Sequence, residues 1–311
     1  MTRPFALLAG LLALGPLGAP LAAELPAPLA VLPWGDGPGE PGLLPGGGER
    51  PPVGPVAVAA DDAHIVVSDP AHRQLLLLDL AGNVVDTWRT DFAAVDLALL
   101  PDGRVLALDA LGDRAHVCDG LGPWRPLALP AGAAAALVAA GPGGTPWVID
   151  ALGRGHALEG AAVSDRATPL GPDAPWHATG RRAGPASGEL LLWRWPDPAE
   201  VRPPGPALTL PVRATDRLLG SVRPVRVDAS GALHAAVETL APGPQVSVRL
   251  TLHRFALPSG APVSTLAWDV ADVAPINRPF AVTPSGVTIV IAARPEGLTV
   301  WRVEPPTGGA R

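Results

Sequence analysis

The chain of 311 residues has no Lys and no Tyr, one Met, one Cys and two Asn, Asn83 and Asn277. All 23 basic residues are therefore Arg, a uniformity that points to codon pressure from a GC-rich genome and drains structural meaning from part of the composition. With Cys118 alone, no disulfide can form within the chain, which excludes a disulfide-stapled scaffold. Charged residues make up only 17% and the net charge is −6, so a basic nucleic-acid binder is excluded. No apolar run approaches the about 20 residues that cross a bilayer as a helix, so no membrane span is expected. G-x-S-x-G, a phosphate loop, His-x-x-x-His and paired cysteines are all missing.

What is abundant is Gly (36) and Pro (40), about a quarter of the chain. That share borders on the disordered range, but disorder also requires low hydrophobicity, and here 48% of residues are apolar with a mean hydropathy of +0.27. The start of the chain reads as an export signal. Arg3 precedes an apolar run from Phe5 to Leu14, and the small residues Ala19, Ala22 and Ala23 come before Glu24. Cleavage is expected near Ala23, with a periplasmic or secreted product and no cysteine there to take a lipid. The expected divisions are a signal peptide (1–23), a closing strand with a Gly/Pro connector (24–54) and a single β domain (55–311).

Short apolar strands separated by Gly, Asp and Pro turns dominate from Val56 onward, without a sustained helical period. Asp69, Asp109 and Asp150 end equivalent strands at spacings of 40 and 41 residues. The turn before that strand recurs at Asp62, Gly103, Gly144, Gly188, Gly231 and Gly286, in steps of 41, 41, 44, 43 and 55. The long last step is ascribed to an insertion in blade five around 240–246. Six units of four short strands predict an all-β, six-bladed β-propeller with four-stranded antiparallel blades. Blade six ends without an outer strand, whereas PLAVLPW (28–34) is a strand without a sheet. Pairing the two closes the ring and removes exposed edges. Trp88, Trp124 and Trp268 would fill the wide rim between blades. Blade four, placed at about 176–218, is the weakest unit and leaves room for a seventh blade.

The stretches WGDGPGEPG (34–42) and GPVAVAADDAHIVVSDPAHRQLLLLDLAGNVV (54–85) resemble the NHL-type propeller repeat, most closely in blade one. The resemblance implies a six-bladed ring whose members mostly bind proteins or other ligands, with a minority of lyases and, in neighbouring propeller families, lactonases. It says little about activity, because fold and chemistry are separable.

Candidate chemistry is sparse. Asp69, Asp109 and Asp150 read as turn caps spread around the ring. His116 and His156 occupy matching third strands, but no third ligand joins them. Innermost strands near 56–60, 94–99 and 133–140 are nearly all Ala, Val and Leu, with Asp96 as the exception. His177, Arg223, Arg226, Asn277 and Arg278 at the entries to blades four to six, with Asp91 and Asp96, would ring one mouth of the channel as a ligand site for an anion or carboxylate. The expected function is an exported binding module without catalytic residues or cofactor, its partner an envelope or extracellular protein or a small anionic ligand. The alternative is a metal-dependent hydrolase or lyase, lactonase-like, holding a divalent cation such as Ca²⁺ with His177, Asp96 and Asn277.

Overall fold

The computed structural model describes residues 23–306 apart from short segments at 112, 121, 132–133, 152–153, 160–162, 165–167, 172–175, 195–205, 215 and 244–245. Of the expected signal peptide (1–23), residues 1–22 lie outside the described residues. After strand β1 (Ala30–Leu32), the chain builds six antiparallel sheets of four strands. Blade one holds β2 (Ala57–Ala60), β3 (His64–Asp69), β4 (Gln74–Asp79) and β5 (Val84–Arg89). Blade two holds β6 (Ala94–Leu99), β7 (Val105–Asp109), β8 (Arg114–Cys118) and β9 (Arg125–Ala128). Blade three holds β10 (Ala135–Ala140), β11 (Pro146–Asp150), β12 (Gly155–Ala157) and β13 (Val163–Ser164). Blade four holds β14 (Thr168–Pro169), β15 (Trp176–Gly184), β16 (Ser187–Arg194) and β17 (Leu208–Arg213). Blade five holds β18 (Leu218–Val227), β19 (Ala232–Ala241), β20 (Ser247–Ala256) and β21 (Ala261–Val270). Blade six holds β22 (Phe280–Val282), β23 (Thr288–Arg294) and β24 (Gly297–Val303), and β1 is its outer strand. This is a six-bladed β-propeller.

The ring closes as the sequence suggests. Ala30 to Leu32 pair with Val300 to Leu298, and Trp34 Nε1 donates to the Arg294 carbonyl at 2.9 Å. The repeated turn between first and second strands has a single backbone cause. Gly103, Gly144, Gly231 and Gly286 all have positive φ, and each donates its N–H to the carbonyl three residues earlier. A side chain is strained in that left-handed conformation, so glycine recurs there.

Each apolar cluster lies between two blades rather than within one. Val58, Ile65 and Leu76 of blade one pack with Ile289, Ile291 and Val300 of blade six. Val66 and Leu75 pack with Leu97 and Val105 of blade two, and Trp88 and Trp124 lean on that seam. Trp268 belongs to the seam between blades five and six. One blade thus buries both of its faces only through its neighbours.

Two expectations are corrected. Blade four begins at β14, not near 176, because its innermost strand is only Thr168–Pro169 and carries no apolar run to detect. Gly188 accordingly sits in β16, the third strand, and not in the repeated turn. The long step into blade six is not a loop insertion. The strands β19, β20 and β21 have ten residues each where β3, β4 and β5 have six, and β19 and β20 pair without interruption from Ala232↔Ala256 to Ala241↔Ser247.

The inner ends of several blades are tied by Arg278, which precedes β22. Its carbonyl accepts the Val58 N–H at 3.1 Å. Its Nε stands 2.9 Å from Asp96 Oδ1, and its guanidinium also donates to the Leu97 carbonyl and, at 3.0 Å, to that of Val138. Asp96 Oδ2 in turn accepts the Val138 N–H at 2.6 Å. One residue of blade six therefore binds the innermost strands of blades one, two and three. Burial pushes the Asp96 carboxyl up to about 6, against the pull of Arg278.

Gly180 should not tolerate a side chain, because a Cβ there would lie 1.8 Å from the Val222 carbonyl oxygen across the seam of blades four and five. Gly180→Ala is expected to cost about 3 kcal/mol in denaturant melts. Gly47→Ala, with nothing within 4 Å of the new methyl, should be near neutral. The raised Asp96 value gives a second expectation. Its stabilising protonation is complete below the ordinary value of 3.8 and is lost as pH rises through about 6. Wild type should therefore gain thermal stability relative to Asp96→Asn between pH 7.5 and 4.5, and the opposite trend would mark Asp96 as an ordinary exposed-type ion pair.

Candidate functional site

Blade five supplies the clearest recess among the described residues. Its Gly231 turn lies at the same end as the other Gly turns, so the four extra residues per strand project at the opposite end, by about 14 Å at 3.4 Å per residue. The connector from β21 to β22 leaves from that same end and crosses in front of the projecting sheet. Between them lies a cleft of about 810 Å³, walled by Val248, Leu250 and Val270 on the sheet and by Val273 and Ile276 on the connector. Pro52 of the N-terminal connector reaches its edge.

Its polar groups follow from strand alternation. Ser221 and Arg223 of β18 share a face, and Glu238 of β19 pairs opposite Ser221, with Leu250 of β20 opposite Glu238. A bulge at Gly220 interrupts the register between Leu219 and Ser221. A Cβ at Gly220 would stand 2.3 Å from Glu238 Oε1, so the carboxylate folds back over the bulge. Arg223 feels Glu238, Arg278 and Asp96 only through space, and burial draws its guanidinium below its ordinary value. Among the described residues no hydrogen bond or ion pair within 4 Å engages it. Asp272 lines the connector side, its Oδ1 accepting the Ala293 N–H at 2.8 Å, and burial pushes its carboxyl up to about 6.

The residues singled out from sequence are distributed unequally around this recess. Arg223 and Asn277 line the cleft. Asn277 also donates from Nδ2 to the Val95 carbonyl at 3.5 Å. Asp96 and Arg278 meet, but each engages the other and the backbone of blades two and three. Arg226 donates to the Val282 carbonyl at 3.3 Å and so stitches blade five to blade six. Asp91 is exposed in the connector before β6 and acts on His116 of the third strand. His177 is not at the blade entry. It lies in β15, the second strand of blade four, 2% exposed, with its ring centroid 6.0 Å from that of Trp147. His177 was displaced from its expected place by the same misreading of blade four's first strand.

The regular acids and histidines are held locally. Asp150 accepts the Arg154 N–H at 2.9 Å and stands 3.4 Å from His156, whereas His116 stacks on Phe92 at 3.8 Å and lies 4.0 Å from Asp109. Asp69 reaches further than its own turn, accepting the Gly42 N–H at 3.0 Å and so anchoring the connector. The Cys118 thiol is buried against the carbonyls of Gly120 and Gly122, and burial raises its pKa.

A Ser, His and Asp do converge in blade five. Asp228 accepts Ser230 Oγ at 2.5 Å, His234 Nε2 at 2.8 Å and Arg254 at 2.9 Å. Burial works to raise that carboxyl, yet the His234 and Ser230 hydrogen bonds and the Ala232 N–H hold it well below the usual range. Because the serine donates to the carboxylate and not to the imidazole, this is a clamp on the turn rather than a nucleophile with its base. No three His, Cys, Asp or Glu side chains among the described residues gather as metal ligands.

Sequence reasoning missed Glu238 and Asp272. The alternation in LHAAVETLA would have placed Glu238 on Arg223's face had the 55-residue step been read as longer strands. Asp272 follows the end of β21 and carried no signal of its own.

No protein-family model matches the chain, and no curated protein matches it in sequence. Among solved structures it is similar to a streptogramin B lyase, at 10% identity over 79% of this chain and 92% of that one, with a TM-score of 0.45. A calcium-binding protein, regucalcin from Agrobacterium tumefaciens, is 15% identical over 89% and 93%, with a TM-score of 0.43. YCF48 from Cyanidioschyzon merolae is 10% identical over 79% and 94%, with a TM-score of 0.42.

Proposed function

We propose that this chain is an NHL-like ring, exported through the leader at 1–23, that binds a ligand or partner and catalyses no reaction. The ligand seat is the cleft between blade five and the connector to blade six. The observation that carries this reading is Arg223, a half-buried guanidinium that faces an open cleft and has no hydrogen-bonding partner among the described residues. A guanidinium placed this way offers a paired donor fork to a carboxylate or similar anion that enters the cleft. The partner is accordingly an envelope or extracellular protein presenting a carboxylate, or a small anionic ligand.

The same geometry argues against the hydrolase or lyase alternative. Its three residues have separate employment: Asp96 with Val138 and Arg278, Asn277 with Val95, and His177 against Trp147. The ring works, on this reading, without a bound cation.

Purified protein incubated with simple lactones and aryl esters should give no turnover above buffer, with or without added Ca²⁺, Mg²⁺ or Zn²⁺. Metal-dependent turnover that disappears in Asp96→Asn would sink the binding-ring reading.

A further inference from the structure

The cleft carries two opposite charges that do not neutralise one another. Arg223 and Glu238 lie on the same face of adjacent strands, on a diagonal of the β18–β19 ladder, where side chains of this length reach each other readily. No ion pair within 4 Å forms between them. The reason is local: the bulge at Gly220 opens a space beside its bare Cα, and Glu238 Oε1 fills it. The carboxylate is thereby turned toward the start of β18 and away from the guanidinium. A cation and an anion are held apart on one wall, and the space between them faces Leu250, Val270 and Ile276.

Such a surface complements a molecule with a carboxylate at one end, an ammonium at the other and an apolar body. An anion that carries no cationic group would satisfy Arg223 and leave Glu238 without a partner. A simple amine would do the reverse. A single charge of either sign engages one of the two groups and leaves the other to solvent. The cleft volume, about 810 Å³, lies within the range of sites that hold drug-sized ligands, the size of a short peptide.

We propose that the blade-five cleft binds short apolar peptides with free ends, the C-terminal carboxylate on Arg223 and the N-terminal ammonium on Glu238. This rests on the binding reading above and names its ligand class. Arg223 offers two parallel N–H groups to the carboxylate, a geometry that selects it over a neutral amide. Gly220 is then a specificity element, because any side chain there evicts Glu238 from its place.

The test uses the tripeptide Leu-Ala-Leu, its N-acetyl form and its C-terminal amide, titrated calorimetrically into the full protein at pH 7.5. The free peptide should bind, and each cap should weaken binding about ten- to hundredfold, the loss of one charge-assisted hydrogen-bond pair. Arg223→Gln should erase the discrimination against the amide and keep that against the acetyl form, and Glu238→Gln should do the converse. Arg223→Lys should retain part of the discrimination. Should Arg223→Gln fail to fold, the three peptides on unaltered protein decide alone. Equal binding of capped and free peptides overturns the proposal, as does discrimination at one end only or no binding by about 5 mM peptide. Failure of the peptides without metal-dependent turnover ends this proposal and leaves the binding ring standing. Metal-dependent turnover of esters ends the ring reading itself.

Discussion

The structure turns on the guanidinium of Arg278. A propeller's innermost strands each have one edge without a strand partner, because they face one another across a channel. Here one side chain from blade six spans that space, binds Asp96 and the carbonyls of Leu97 and Val138, and receives the Val58 N–H on its own carbonyl. Four blades are thereby referred to a single residue. Arg278 and the backbone N–H groups oppose the burial that raises the Asp96 carboxyl, and the low polarity of the surrounding Ala, Val and Leu strengthens every bond in the group. The same arrangement occupies the acid that the channel would otherwise offer to a cation or a substrate.

The candidate site has consequently moved off the axis. Blade five is built on strands of ten residues, and their surplus stands above the ring as a wall. Its base is kept in place by the Asp228 clamp, which ties the first turn to β19 and β20 through His234 and Arg254. Its flank is fitted to blade four so closely that Gly180 lies bare against the Val222 carbonyl. A rigid wall, a crossing connector and a bulge that re-aims one carboxylate together make a recess with separated charges. They are the means by which a sheet presents fixed polar groups beside an apolar surface.

Much of the architecture is legible in the sequence. The recurring glycine turn has a backbone reason, since only glycine sits comfortably at positive φ in that tight turn, and codon bias cannot mimic its spacing. The orphan strand at 28–34 and the unfinished sixth blade predicted each other because an unpaired sheet edge is costly. Blade four was misplaced because a two-residue strand, Thr168–Pro169, leaves no periodicity to read. Blade five's length was misread because a hairpin tip rich in Gly and Pro looks alike whether it ends short strands or long ones. The site suffered most from that error. Arg223 and Asn277 were picked out as charged and polar residues at blade entries, but Glu238 becomes visible only when β19 is known to run to Ala241.

The sequence by itself determined the all-β class and the means of closing the ring, and it pointed to six blades while leaving room for a seventh. These depend on local turn chemistry and on apolar alternation, both of which are written in consecutive residues. Tertiary structure alone decided which polar groups remain available. Asp96 and Arg278 stand 182 positions apart and consume each other, whereas Arg223 and Glu238 are close in the sheet and are kept from meeting by a bulge. Whether a charged side chain serves the fold or faces a ligand depends on which partner reaches it first in space, and that is a property of the closed ring rather than of any stretch of chain.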